Sequence, residues 1–308
     1  MRKSPLLPLL ALGAVVLGAA GLAVTLAPPA DGGEMRRLIV NGVERSYYLH
    51  VPAGLPSGAP LVIMLHGDLD DGKKDVRNYG WEHQADVNHF VVAGPDASTM
   101  YPDSAPSRHN FRSWNAGVAG QAGIATSDDV SFIAAMIDDI ARTDGIDRQR
   151  VYVAGFSSGG HMANRLGQEI AGRLAAISTS GASRMAILPQ PPSRGIPILF
   201  SAGDRDPITP VEGSETEIPD DGVFAKEAHR AVVDRWRTLD ACPAARTIAA
   251  PKDTIIEVSG PCRDGSEVRY VLMQGVAHKW PTDKPIDLAQ TSWDFFKRFS
   301  LPTELEGN

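Results

Sequence analysis

Gly155-Phe156-Ser157-Ser158-Gly159 follows the apolar run Val151-Tyr152-Val153-Ala154 and precedes a helix-forming stretch. A G-x-S-x-G placed between a strand and a helix forces a tight turn. The small residues at both ends let strand and helix approach, and the serine hydroxyl is held in a strained backbone at the top of a sheet. Short matches to this pattern arise by chance, so its weight comes from the strand–turn–helix context. A serine hydroxyl is a poor nucleophile without a base beside it and a carboxylate behind that base. Both would have to come from later in the chain, in the order that a strand–helix alternation delivers them.

The alternation itself is legible. Arg37–Val40 and Arg45–Val51 flank Asn41-Gly42, a strong hairpin signal. Pro60–Leu65 reads as a strand buried on both faces and ends in His66-Gly67. Trp81–Asn88 reads as helix, Phe90–Ala93 as strand, Asp128–Arg142 as helix, Val151–Ala154 as strand and Ser158–Ala171 as helix. Leu174–Ser178 and Ile196–Phe200 are further strands. Ala225–Leu239 reads as helix, Val268–Met273 as strand and Ile286–Phe299 as a closing helix. This pattern predicts an α/β fold: a mostly parallel central sheet with helices on both faces and an N-terminal antiparallel hairpin. Two long irregular stretches, Ser98–Ser127 and Arg205–Gly222, leave strand ends and are read as walls of a cleft.

The acid and the base follow the serine. Asp204-Arg205-Asp206-Pro207 comes directly after the Ile198–Gly203 run, and Asp206, with Pro207 fixing the backbone behind it, is preferred to Asp204 as the acid. His278, in Gln274-Gly275-Val276-Ala277-His278-Lys279-Trp280-Pro281, is the base expected on the loop after the last strand. The oxyanion hole is expected from the amide of Ser158 and an amide of the turn after Gly67, that of Asp68 or Leu69. Trp114 and Trp280 stand as either substrate-binding walls or core. His66 is expected to hold its loop by a side-chain hydrogen bond and His161 to be packed. Asp128 and Asp129 suit a helix start. Asp68–Gly72 is acidic but lacks the spacing of a calcium loop, so no metal is expected.

Bulk properties bound the partners. The 308-residue chain carries a formal charge of −7 with scattered Lys and Arg, which excludes a polyanion such as nucleic acid. Met1-Arg2-Lys3 followed by the apolar stretch Leu6–Ala27 makes residues 1–30 an export signal or an uncleaved membrane anchor, and 31–308 one catalytic domain. Either alternative places the domain in an extracellular or periplasmic compartment. There Cys242 and Cys262 are expected to form a disulfide, the alternative being two free buried thiols.

Taken together, His66-Gly67, Ser113-Trp114-Asn115-Ala116-Gly117, Asp128-Asp129-Val130, Arg150–Gly160, Gly203–Asp206, the cysteine pair and His278-Lys279-Trp280-Pro281 resemble the secreted poly(3-hydroxybutyrate) depolymerase-like and feruloyl or acetyl xylan esterase family of α/β-hydrolases. The resemblance covers nearly the whole chain after the leader. It implies the α/β-hydrolase fold and a serine carboxylic-ester hydrolase that needs no cofactor, with Ser157, Asp206 and His278 as its triad and an ester, polymeric or small, as its partner. A serine peptidase or an acyltransferase on the same fold is the alternative. The chain departs from the family in lacking a cysteine pair after Gly117, in Val276-Ala277 before the histidine, in Thr282, and in the carboxylate Asp68 in the oxyanion turn.

Overall fold

The computed structural model describes residues 32–99, 112–118, 127–186, 188–218, 222–226 and 228–302. The leader, residues 1–30, lies outside the described residues, as does most of the expected cleft wall between Ser98 and Ser127. No helix among the described residues is long and apolar enough to cross a membrane.

Asn41 and Gly42, both at positive φ, turn β1 (Gly33–Val40) into β2 (Val43–His50) in the tight two-residue manner the Asn-Gly pair predicts. The chain continues through β3 (Leu61–Leu65), α1 (Gly72–Asn78), α2 (Trp81–Asn88), β4 (Val91–Pro95), α3 (Asp129–Asp144), β5 (Val151–Phe156), α4 (Ser158–Glu169), β6 (Ala176–Ser180) and β7 (Ile198–Gly203). It closes with β8 (Ser214–Ile218), β9 (Gly222–Lys226), α5 (His229–Leu239), β10 (Arg246–Ile248), β11 (Thr254–Ser259), β12 (Val268–Met273) and α6 (Leu288–Phe296). Ten strands form one sheet in the order β1-β2-β4-β3-β5-β6-β7-β12-β11-β10, and β8 pairs with β9 apart from it. The six strands from β4 to β12 are parallel. The two at each end are antiparallel.

The period of two in the central strands divides the core. Leu61, Ile63, Leu65, Val151 and Val153 join the layer that holds Phe132, Met162, Leu166 and Trp236 of α3, α4 and α5. Val62, Met64, Tyr152, Ala154 and Phe156 join the layer that holds Val76, Trp81, Trp293 and Phe296 of α1, α2 and α6. Each of these large apolar side chains contributes roughly 2–3 kcal/mol by leaving water, and both sheet faces are apolar because both are covered.

Ion pairs dock the edge hairpin. Arg36 grips Asp144 at the end of α3 through two bonds of 2.5 and 2.9 Å. Arg45 meets Asp129 at 2.7 Å, and Asp129 is fully buried. Asp128 caps α3 through the Ser131 amide. Asp129 does more than suit a helix start: it also accepts from the Asn115 amide at 2.8 Å and the Ser127 hydroxyl at 2.9 Å.

Two sequence expectations change, and one holds. The helix read from Ala225 begins at His229, because residues 222–226 are a strand paired with 214–218; the stretch 205–222 is therefore not structureless. The helix α1 and the β10–β11 extension were not anticipated. Cys242 and Cys262 are joined, pinning the turn after α5 to the segment between β11 and β12.

Closing this loop of 20 residues removes chain entropy from the unfolded state, worth about 3 kcal/mol. The double variant Cys242→Ser/Cys262→Ser is expected to lose about that much in urea denaturation without losing its fold. Asp129→Ala, which strands a buried guanidinium, is expected to cost about 3–5 kcal/mol in the same measurement.

Candidate active site

All six parallel strands present their carboxyl ends at one edge, and the residues singled out in the sequence lie there. Ser157 stands between β5 and α4 at φ 54°, ψ −120°, a conformation costly for any residue with a Cβ. Two things hold it. Its amide donates to the Ser180 carbonyl at 2.9 Å, and its carbonyl accepts from the His161 amide at 3.0 Å. The turn closes only because its ends are glycines: a Cβ on Gly155 would lie 2.2 Å from the Gly159 carbonyl oxygen, and one on Gly159 would lie 2.2 Å from that of Leu65.

The acid and base loops are bound to one another by the main chain. The Asp204 amide donates to Met273 and the Arg205 amide to Val276, each at 3.0 Å, while the Asp204 carboxylate accepts from the Gly275 amide at 2.7 Å. Asp204, the less favoured of the two candidate acids, thus serves as a clasp. The next residue but one, Asp206, is buried and meets His278 Nδ1 at 2.7 Å through Oδ2. Its Oδ1 accepts from the Ile208 and Thr209 amides, both at 2.8 Å, and Oδ2 accepts from the Thr209 hydroxyl at 2.6 Å. Burial works to raise the Asp206 pKa, but the bonds from His278 and Thr209 outweigh it and hold the carboxyl below its ordinary value. An ionised Asp206 can only accept, so Nδ1 of His278 carries a proton, and in the neutral imidazole Nε2 is the acceptor.

The imidazole of His278 lies over the end of β6. A Cβ on Gly181 would sit 3.0 Å from its Cε1, and the Phe156 ring packs on it at 4.8 Å between centroids. Phe156 is the neighbour of Ser157, and Gly181 follows the Ser180 carbonyl that binds the Ser157 amide. The serine, the imidazole and the carboxylate therefore occupy the ends of β5, β12 and β7 around Gly181.

Ser158 opens α4, where its amide and the helix dipole favour negative charge. Across from it, a Cβ on Gly67 would lie 3.6 Å from that of Ser157. In this turn the Leu69 amide is already given to the Arg112 carbonyl at 3.2 Å, which removes Leu69 as an oxyanion donor. The Asp68 amide has no hydrogen-bond partner among the described residues. His66 holds the turn as expected. Its Nε2 accepts from the Ala97 amide at 3.0 Å, so Nδ1 donates to the Gly67 carbonyl at 2.6 Å, and burial lowers its pKa.

The two tryptophans are not cleft walls. Trp114 is fully buried against His66 and donates to its carbonyl at 2.9 Å. The Ser113–Gly117 motif buttresses the oxyanion turn, with Asn115 also donating to Ser127 and accepting from Arg165. Trp280 is buried too, stacked on Tyr79 at 5.2 Å and packed on Trp81. Two neutral histidines lie behind the site. Burial, then Arg184, pushes His161 down to about 3. Burial pushes His229, unnoticed in the sequence and stacked on Tyr270, down to about 4. Thr209 was also missed; the Asp-Pro-Ile-Thr turn was its available signal. Among the described residues no group of His, Cys, Asp and Glu has the arrangement of a metal site.

Known proteins share this architecture. Residues 45–185 match the sequence model described as "Esterase PHB depolymerase". The putative esterase NocK of Nocardia uniformis subsp. tsuyamanensis is 29% identical over 294 residues, covering 84% of this chain and 81% of that protein. Feruloyl esterase B of Piromyces equi is 25% identical over 84% of this chain, which spans 46% of that protein's length. Among solved structures, the poly(3-hydroxybutyrate) depolymerase LpqC of Bordetella parapertussis superposes with a TM-score of 0.56 at 20% identity, over 89% of this chain and 93% of that one. The acetyl xylan esterase of Aspergillus awamori does so at 0.54 and 15% identity, over 86% and 99%. These structural likenesses establish the α/β-hydrolase fold, and in sequence the chain is similar to esterases and PHB depolymerases.

Proposed function

We propose that this protein is an exported serine carboxylic-ester hydrolase that works through an acyl-enzyme, with Ser157 as nucleophile, His278 as general base and acid, and Asp206 as the carboxylate behind it. The observation that carries this reading is the 2.7 Å bond from His278 to a buried, fully hydrogen-bonded Asp206, beside a serine held at φ 54° by the elbow.

In the first step Nε2 of His278 takes the Ser157 proton as Oγ attacks the ester carbonyl. Asp206 stabilises the imidazolium that forms and fixes the tautomer that began the step. The carbonyl oxygen becomes negative, and the amides of Ser158 and Asp68 are the donors that receive it. His278 then protonates the departing alcohol. Water, activated in the same way, releases the acid and restores the serine. Every bond made or broken uses groups of the chain, the ester or water. The leader and the Cys242–Cys262 disulfide support export to an oxidising compartment. Among esters, the relatives' names direct attention to feruloyl, acetyl-polysaccharide and hydroxyalkanoate substrates.

A panel of methyl ferulate, acetylated xylan and hydroxybutyrate oligomers tests the substrate class. Ser157→Ala is expected to abolish hydrolysis of whichever ester is turned over and to block labelling by a serine-directed phosphonate. Retained activity refutes the assignment. Asp206→Asn, which offers Nδ1 of His278 the wrong partner, is expected to lower kcat by about 10⁴ while KM changes little.

A further inference from the structure

Beneath the oxyanion turn lies a carboxyl that the reaction scheme above does not use. Asp75 of α1 is 1% exposed, and its Oδ2 accepts from the Gly67 amide at 3.2 Å. The Tyr79 hydroxyl, one helical turn on, interacts with the same carboxyl. The Tyr79 ring stacks on Trp280 of the histidine loop at 5.2 Å and meets the Phe156 ring edge-on at 5.8 Å. One side-chain pair thus touches the oxyanion turn, the residue before the nucleophile and the loop of the base.

We infer that Asp75 is a positioning residue of the oxyanion turn: it holds Gly67 from behind and, when ionised, sets a negative charge against the charge growing on the ester oxygen. The inference rests on the esterase reading. A neutral carboxyl keeps an acceptor for the Gly67 amide and adds no charge. An ionised one keeps the bond and opposes the tetrahedral intermediate.

The surroundings place the change of state near neutrality. Burial, with Asp70 adding to it, pushes Asp75 up to about 7, against the opposing pull of the Gly67 amide, Tyr79 and Lys74. The other charges on the elements around α1 have partners of their own. Asp70 pairs with Lys74, Asp96 with Arg112, and Glu82 of α2 with Arg77 and the Tyr48 hydroxyl. His66 is neutral and committed at both ring nitrogens.

The test compares wild type, Asp75→Asn and Tyr79→Phe for kcat and KM on p-nitrophenyl acetate, from about pH 5.5 to about pH 8.5. Asparagine keeps the acceptor for Gly67 and cannot ionise. The ratio of its kcat to that of wild type is therefore expected to rise about three- to tenfold across the range, centred near 7, with KM within about twofold. Tyr79→Phe removes a group that favours the charged carboxyl, so the wild-type loss is expected to move to higher pH. A ratio that stays flat overturns the inference, as does a Tyr79→Phe profile that does not move. If Asp75→Asn does not fold, the Tyr79→Phe profile decides alone. Ser157→Ala in the same assay separates the two ideas: activity surviving there sinks the esterase reading, while a flat ratio in an enzyme silenced by Ser157→Ala sinks only the role of Asp75.

Discussion

The amides of Asp204 and Arg205, given to the carbonyls of Met273 and Val276, keep the site in register. They extend the β7–β12 pairing past the end of the sheet, so two loops that leave parallel strands stay side by side for another turn. Without that tie, Asp206 and His278 would sit on separate mobile connections. With it, their 2.7 Å bond is a consequence of sheet geometry. Asp206 is then fixed by two amides and a hydroxyl of its own loop, which leaves one direction free for the imidazole. Precision at the proposed catalytic centre is thus inherited from the backbone, which is the least adjustable part of the molecule.

Strain at Ser157 follows the same logic. A residue at φ 54°, ψ −120° persists only when its surroundings over-determine it. Here β5 is paired on both sides, α4 begins at the next residue, and Gly155 and Gly159 let the two elements touch. Relaxing the serine would break the start of α4 away from β5 and β3. The conformation is offset by the burial of Met162, Ala163 and Leu166 along one face of that helix.

These dependencies explain what could be read from the chain. The elbow, the Asn41-Gly42 turn and the strand-end positions of Asp206 and His278 are set by local punctuation, and local punctuation is written in sequence. Direction is not. Trp114 and Trp280 have the composition of cleft walls, yet the first is turned inward by a bond to His66 and the second by stacking on Tyr79. Leu69 differs from Asp68 in having Arg112 opposite its amide, a contact between segments far apart in the chain. The helix α1 escaped notice because Val76 is its only large apolar residue and Asp71 its only clear cap. The strand β11 is different: Thr254-Ile255-Ile256-Glu257-Val258 is β-branched enough to have been read as one.

The oxyanion turn poses an electrostatic problem that the fold solves piecemeal. Asp68, Asp70, Asp71 and Asp75 fall within eight residues of one another, beside the place where an ester oxygen would become negative. Four unscreened carboxylates there would work against the Ser158 and Asp68 amides. Each is instead handled by a different device. Asp68 faces water, where solvent screens it. Asp70 is paired with Lys74, and Asp71 is spent on the first turn of α1 through the Lys74 amide. Only Asp75 has neither water nor a cation of its own, and burial answers by favouring its neutral form. The acidity of the turn is therefore compatible with anion stabilisation as long as the one unscreened carboxyl keeps its proton, which makes the protonation of α1 part of the chemistry at Ser157.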